Sequence, residues 1–300
     1  MSSYPEAPQG WTTVDRRAVG PFTTHLTFRR PDGGTTTWSS RAHRKHASRI
    51  SRAAPGHERV WWAPVRASWW IGVLFAVGST CFLIAPFPGF VELVGSGVDG
   101  MVFLVGSVFF TSAATLQCLE TFNADRGPGG GGHRQRLHLL AFEPRRIDWW
   151  SSVLQLVGTL LFNRDTFRAM QTGLEQPGYD QLVWRPDALG SACFLVSGYL
   201  AYVEVCGGLA CRPRGSLEWR IAAVNLAGCV AFGISAVASY VIPATGGVVD
   251  LAAANAFTAL GALCFLVGAV LLLPESATAP PHDTPASHPS GRGGPELDPH

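Results

Sequence analysis

Gly158-Thr159-Leu160-Leu161-Phe162 decides the fold. A glycine, a small residue, two spacers and a phenylalanine stand inside an apolar run. The same order recurs from Gly78 to Phe82, Gly106 to Phe110, Gly190 to Phe194, Gly228 to Phe232 and Gly261 to Phe265. Each copy lies in its own hydrophobic segment. These segments show no period of two, so they predict helices rather than barrel strands. A helix needs about 20 mostly apolar residues to cross a bilayer core of roughly 30 Å. The runs are residues 69–86, 101–119, 149–162, 188–205, 219–241 and 251–274. The third is the shortest, and it spans only if its helix extends from about Ile147 past Arg164. The expected fold class is an all-α membrane protein with six transmembrane helices.

The spacing groups the helices in pairs. Successive glycines are 28, 52, 32, 38 and 33 residues apart. Just before the first helix of each pair come Trp69-Trp70, Trp149-Trp150 and Trp219-Arg220, preceded by Pro64-Val65-Arg66, Pro144-Arg145-Arg146 and Pro213-Arg214. Fourteen residues after the second glycine of each pair stands Glu120, Glu204 or Glu275. The pattern predicts three tandem helical hairpins, residues 67–120, 147–205 and 217–275, in a pseudo-threefold repeat. An arginine twelve residues before one glycine and a glutamate fourteen after its mate both lie ~18–21 Å from the glycine layer. Arg66 with Glu120, Arg146 with Glu204, and Arg214 with Glu275, or the same set shifted to neighbouring hairpins, are therefore expected as ion pairs at one end. The glycines are expected at helix contacts, where a missing side chain lets backbones approach. The paired tryptophans are expected at the headgroup level.

Charge bounds the rest. Only 15% of the residues are charged, against about 25% in a soluble domain. Ten arginines and Lys45 lie in residues 1–66, five arginines between the second and third runs, and Arg212 and Arg214 between the fourth and fifth. The positive-inside rule then places both termini in the cytoplasm of a multi-pass plasma-membrane protein. Residues 1–66 form a polar arm with an expected β-hairpin over 25–38 and a basic segment over 41–52 that suits anionic lipid heads. The tail, 276–300, has the composition of a disordered segment. The seven cysteines lie mostly in apolar runs and suggest no disulfide frame, and Cys206 and Cys211 lack zinc-site spacing.

Polar residues inside the runs are the candidates for function. Gln155 and Asn225 each precede their glycine by three residues; the matching position in the first hairpin is Phe75. With Gln117, Asn163, Arg164, Asp165 and Asn255 they form the candidate polar cavity. No Ser–His–Asp set, paired intramembrane carboxylates or phosphate loop is apparent. No cofactor, metal or nucleic acid is expected, and the reading leans away from an enzyme.

Leu74-Phe75-Ala76-Val77-Gly78-Ser79-Thr80-Cys81-Phe82 and Phe103-Leu104-Val105-Gly106-Ser107-Val108-Phe109-Phe110 resemble the two-helix YrhK-like membrane unit. Over roughly residues 35–275 the chain is similar to uncharacterised multi-pass proteins of actinobacterial type. That resemblance implies the membrane fold and no activity. The Pro-x-Asp/Glu-x-x-Lys/Arg signature of mitochondrial carriers is absent. Two functions stay open: a non-enzymatic protein of membrane assembly or partner binding, and, as the alternative, a small-solute transporter or channel with a polar path between the hairpins. Phenylalanines filling a dry axis favour the first; a cavity lined by Gln155, Asn225 and Asn255 favours the second.

Overall fold

The computed structural model describes residues 7, 9–40, 61–64, 66–124, 138–171, 178–211, 215–242, 245 and 247–277. The chain opens with a sheet of three antiparallel strands in sequence order: β1 (Thr12–Val19), β2 (Phe22–Arg29) and β3 (Thr35–Ser39). Among the described residues seven helices follow: α1 (Ala67–Ile84), α2 (Pro88–Val94), α3 (Ser96–Phe122), α4 (Ile147–Ala169), α5 (Arg185–Cys206), α6 (Leu217–Ala238) and α7 (Leu251–Ala277). A π-helical turn, Asp180–Trp184, leads into α5.

The expected hairpin is the β2–β3 pair, with Leu26 opposite Trp38 and Phe28 opposite Thr36. The sheet has one strand more than the sequence suggested. β1 carries Asp15, Arg16 and Arg17 and is exposed along most of its length, so it shows no alternation of apolar and polar residues. Those charges suit an edge strand. Leu26 and Phe28 form the small apolar centre of the sheet, with Trp11 against them. β2 rests on the bundle: its His25 lies beside Gly207, where α5 ends in a left-handed turn.

Five helical segments are long and apolar enough to cross a membrane: Ala67–Ile84, Ser96–Phe122, Asp180–Cys206, Leu217–Ala238 and Leu251–Pro274. They suggest an integral membrane protein. α4 is 23 residues long and runs from Ile147 past Arg164, yet its Asp148, Arg164, Asp165 and Arg168 leave it too polar to count with them. It packs in the same ring nonetheless. α1 touches α3, α3 touches α4, and the order continues through α5, α6 and α7 back to α1. Ring neighbours run antiparallel. Thr111 meets Asn163 while Gln117 meets Gln155, and Ser151 meets Ser197 while Gly158 meets Gly190.

The six glycines face partner helices. A Cβ on Gly78 would stand 2.9 Å from the Gly106 carbonyl, and one on Gly158 would stand 3.1 Å from that of Gly190. One on Gly228 would stand 2.7 Å from the Phe265 ring, and one on Gly261 would stand 2.7 Å from Phe232. Each phenylalanine thus covers the glycine of its partner helix. Phe162 and Phe194 stack at 5.0 Å, and Phe232 and Phe265 at 5.3 Å. Phe82 and Phe110 meet edge-on at 5.5 Å, with Phe75 and Phe103 adding rings on either side.

Two of the tryptophan pairs tether the chain that leads into their helices. Trp69 Nε1 donates to the Trp61 carbonyl at 2.9 Å, and Trp149 Nε1 donates to Ala141 at 2.7 Å, eight residues back in both cases. Trp70 and Trp150 donate to Pro64 and Pro144, each at 2.9 Å. The backbone turns alike too, Arg66 N–H to the Ala63 carbonyl and Arg146 N–H to Glu143, both at 3.0 Å. Trp219 departs from this pattern: its buried indole N–H has no partner among the described residues.

Candidate functional site

The side chains of Phe82, Phe110, Phe162, Phe194, Phe232 and Phe265 close the bundle axis. Phe82, Phe162 and Phe232 touch one another edge-on with centroids 5.9–6.2 Å apart. About 10 Å³ is left among the six rings. A water needs ~10–15 Å³ and about two to four polar partners; the six rings offer none, so this layer is dry.

On the tryptophan side of the layer the axis opens into a chamber of about 120 Å³. Phe110, Phe194 and Phe265 form its floor. Gln117, Gln155 and Asn225 bring three carboxamides to its wall, Glu120 a carboxylate, and Ser151 and Ser197 hydroxyls. Antiparallel packing explains the convergence. Gln155 and Asn225 precede their glycines on α4 and α6, and Gln117 follows its glycine on α3, so all three lie at the same end.

Gln117 Nε2 donates to Gln155 Oε1 at 3.2 Å. Ser151 and Ser197 each donate to the other's carbonyl, at 3.0 and 2.6 Å. Asn225 lies against Gly268, where a side chain would collide with its amide oxygen. No basic residue lines the chamber among the described residues. Such a wall can hydrogen-bond several waters or a small neutral or cationic solute.

The other candidates lie elsewhere. Asn255 is near the start of α7 and does not line the chamber. Asn163 is beyond the phenylalanine layer and donates to Thr111 Oγ1 at 2.7 Å. Asp165 is buried on that side, while Arg164 is exposed. Counting along one helix finds depth but not the end of the bundle, and these four lie at the opposite end.

At the tryptophan end Arg146 does not pair with Glu204. It bonds Asp148 and Glu143, the latter at 2.6 Å, and donates to the Thr121 carbonyl at 3.2 Å. Burial alone would lower its pKa, but Asp148 and Glu143 outweigh that and hold the guanidinium above its usual value. Local acids two and three residues away were simply nearer than one on another helix. Arg66 immediately precedes α1 and Glu204 is buried near the end of α5. Arg214 and the Glu275 side chain lie outside the described residues, as do the basic segment 41–52 and most of the tail.

No known protein family, curated protein or solved structure matches this chain. The chamber must therefore be read on its own chemistry.

Sequence reasoning missed two features. Cys206 and Cys211 are joined in a disulfide, closing the turn after α5. Five residues apart, they resemble neither a metal motif nor a long-range staple, so spacing gave no signal. Asp165 and Asp187 are also brought within electrostatic reach of each other, although no carboxylate pair was apparent in the sequence. They are 22 residues apart, and only their equal depth beside Gly158 and Gly190 could have revealed them.

Proposed function

We propose that this is a six-span membrane protein of three tandem hairpins, each built like the two-helix YrhK-like unit. Both termini face the cytoplasm, and the protein binds a small polar solute on its axis as a transporter or channel in a closed state. The chamber carries this reading. Solid packing would place apolar side chains where Gln117, Gln155 and Asn225 stand, because an amide in an apolar setting is costly unless it meets a partner or water. The phenylalanine layer then acts as a hydrophobic constriction that opens by wetting. α4 counts as the sixth span because it continues through its charged turn and its Phe162 belongs to the layer.

With three amides and several hydroxyls on the wall and no basic residue among its described lining residues, the solute class we propose is small and polar, neutral before anionic. The test is efflux from proteoliposomes loaded with glycerol, methylammonium or acetate. Protein-dependent efflux of the first or second, abolished in the double variant Gln155→Leu/Asn225→Leu, is the expected result. Equal rates with and without protein for all three would remove the solute reading. The dry phenylalanine layer is the observation that favours the second reading, a packed protein of membrane assembly that carries nothing.

A further inference from the structure

The hairpin of α4 and α5 differs from the other two at one register. Seven residues after the first glycine and three before the second stand Ala85 and Phe103, Asp165 and Asp187, and Ser235 and Thr258. In the α6–α7 hairpin the two hydroxyls meet at 2.7 Å. In the α1–α3 hairpin the Phe103 ring packs on Phe82 at 5.4 Å. The same register faces Asp165 toward Asp187 across the α4–α5 seam, on the side of the phenylalanine layer away from the chamber.

Three further contacts locate the pair. Ser239, the residue that follows α6, lies beside Asp187. Burial, and then the charges of Asp187 and Asp165, push the Tyr179 phenol up to about 12, so this ring stands near both carboxyls. Asp165 is 6% exposed, and its Oδ1 has no hydrogen-bond partner among the described residues. Loose packing is not the cause, since neighbouring Thr166 bonds the Phe162 carbonyl at 2.7 Å and Ser107 at 3.1 Å. Among the described residues no cation answers the pair: Arg164 and Arg168 are exposed, and Arg185 bonds Asp180 at 2.9 Å. Two neighbouring carboxyls, Asp165 buried and Asp187 partly buried, are not both ionised at little cost, and a single bound proton relieves the repulsion and supplies the missing donor.

We propose that Asp165 and Asp187 form a proton-binding pair, one proton shared between two carboxyls and exchanged with the side of the membrane opposite the chamber. The proton comes from bulk water and returns to it. Only one O–H bond is made and broken, and nothing is oxidised or reduced. With a solute chamber on one side of the gate and a proton site on the other, the proton becomes the coupling ion. That coupling rests on the solute reading; the proton site does not.

Infrared difference spectra of the full-length protein in vesicles, between neutral and strongly alkaline buffer, read the site directly. A carboxylic C=O band that shifts in D2O is expected. It should vanish in Asp165→Asn and in Asp187→Asn, and persist in Asp180→Asn. Asp165→Ser/Asp187→Thr installs the hydroxyl pair of the α6–α7 hairpin and should fold without the band. A folded wild-type protein lacking the band, a band untouched by both single variants, or a band present only when sodium is replaced by choline would overturn the proposal. A band without solute efflux leaves the site standing and removes the transporter; efflux without the band does the reverse.

Discussion

Gly158 lies under the Phe194 ring so closely that a Cβ built on it would stand 2.7 Å from two ring carbons, with the Gly190 carbonyl 3.1 Å away. The stacked ring and the facing backbone leave no room to retreat. Gly158→Ala should therefore destabilise the bundle by ~1–3 kcal/mol, as overpacking does. Gly190→Ala should cost as much, since Phe162 stands at the same 2.7 Å. Gly233→Ala is the contrast: nothing lies within 4 Å, so the helix should gain ~0.5–1 kcal/mol. Thermal unfolding in one detergent would show the three midpoints moving in these directions.

Phe194 is both floor of the chamber and stacking partner of Phe162. Phe194→Ala should lower stability by ~3–5 kcal/mol and widen the axis. Small-solute leak from vesicles should then rise above the wild-type rate. Phe75→Ala also enlarges the chamber but leaves the six-ring layer whole, so its leak should match wild type. Equal leak in both variants would show that the layer is not the barrier.

Asn225 and Gln155 separate binding from folding. Asn225→Leu fills a similar volume against Gly268, so stability should change by less than ~1.5 kcal/mol. Gln155→Leu breaks the 3.2 Å bond from Gln117, an interaction worth ~0.6 kcal/mol between membrane helices. Both variants should keep the wild-type melting profile to within a few degrees while solute efflux falls. A collapse of the fold in either would make these amides structural.

Arg146 stands between Glu143, 7% exposed, and Asp148, fully buried. Arg146→Ala removes the guanidinium that two buried carboxylates share and should cost ~3–5 kcal/mol. Replacing the acids too, in Glu143→Gln/Arg146→Met/Asp148→Asn, should recover most of that loss. Measuring both midpoints separates an ion network from simple packing.

The Cys206–Cys211 bond bears on orientation. Cytoplasmic thiols are kept reduced, whereas a bond on the outer face persists. In the orientation proposed above, with both termini inside, the turn after α5 is cytoplasmic. Mass spectrometry of cells alkylated before lysis should then find both thiols blocked by the reagent, and the bond only after purification in air. An intact bond in alkylated cells would reverse the topology.

Depth along a helix was legible in the sequence because a fixed rise per residue converts spacing into height. That is why Gln117, Gln155 and Asn225 meet in one chamber while their glycines face partner helices. Lateral position was less legible. Asn255 has the right residue type, but near the start of α7 it lies at the far end. Asp187 was not among the candidates, because the apolar run begins only after it, whereas the helix and the π-helical turn before it start earlier. β1 escaped because an edge strand exposed on both faces has no alternation to read. Arg146 was assigned across helices when acids within its own turn were closer.

Among the described residues the indole of Trp219 finds no tether like those that Trp69 and Trp149 make to the incoming chain. Two of the three doorposts are bolted to the frame, and the third stands on its hinge. Any breathing of the barrel should begin where α6 enters, and labels placed there would feel it first.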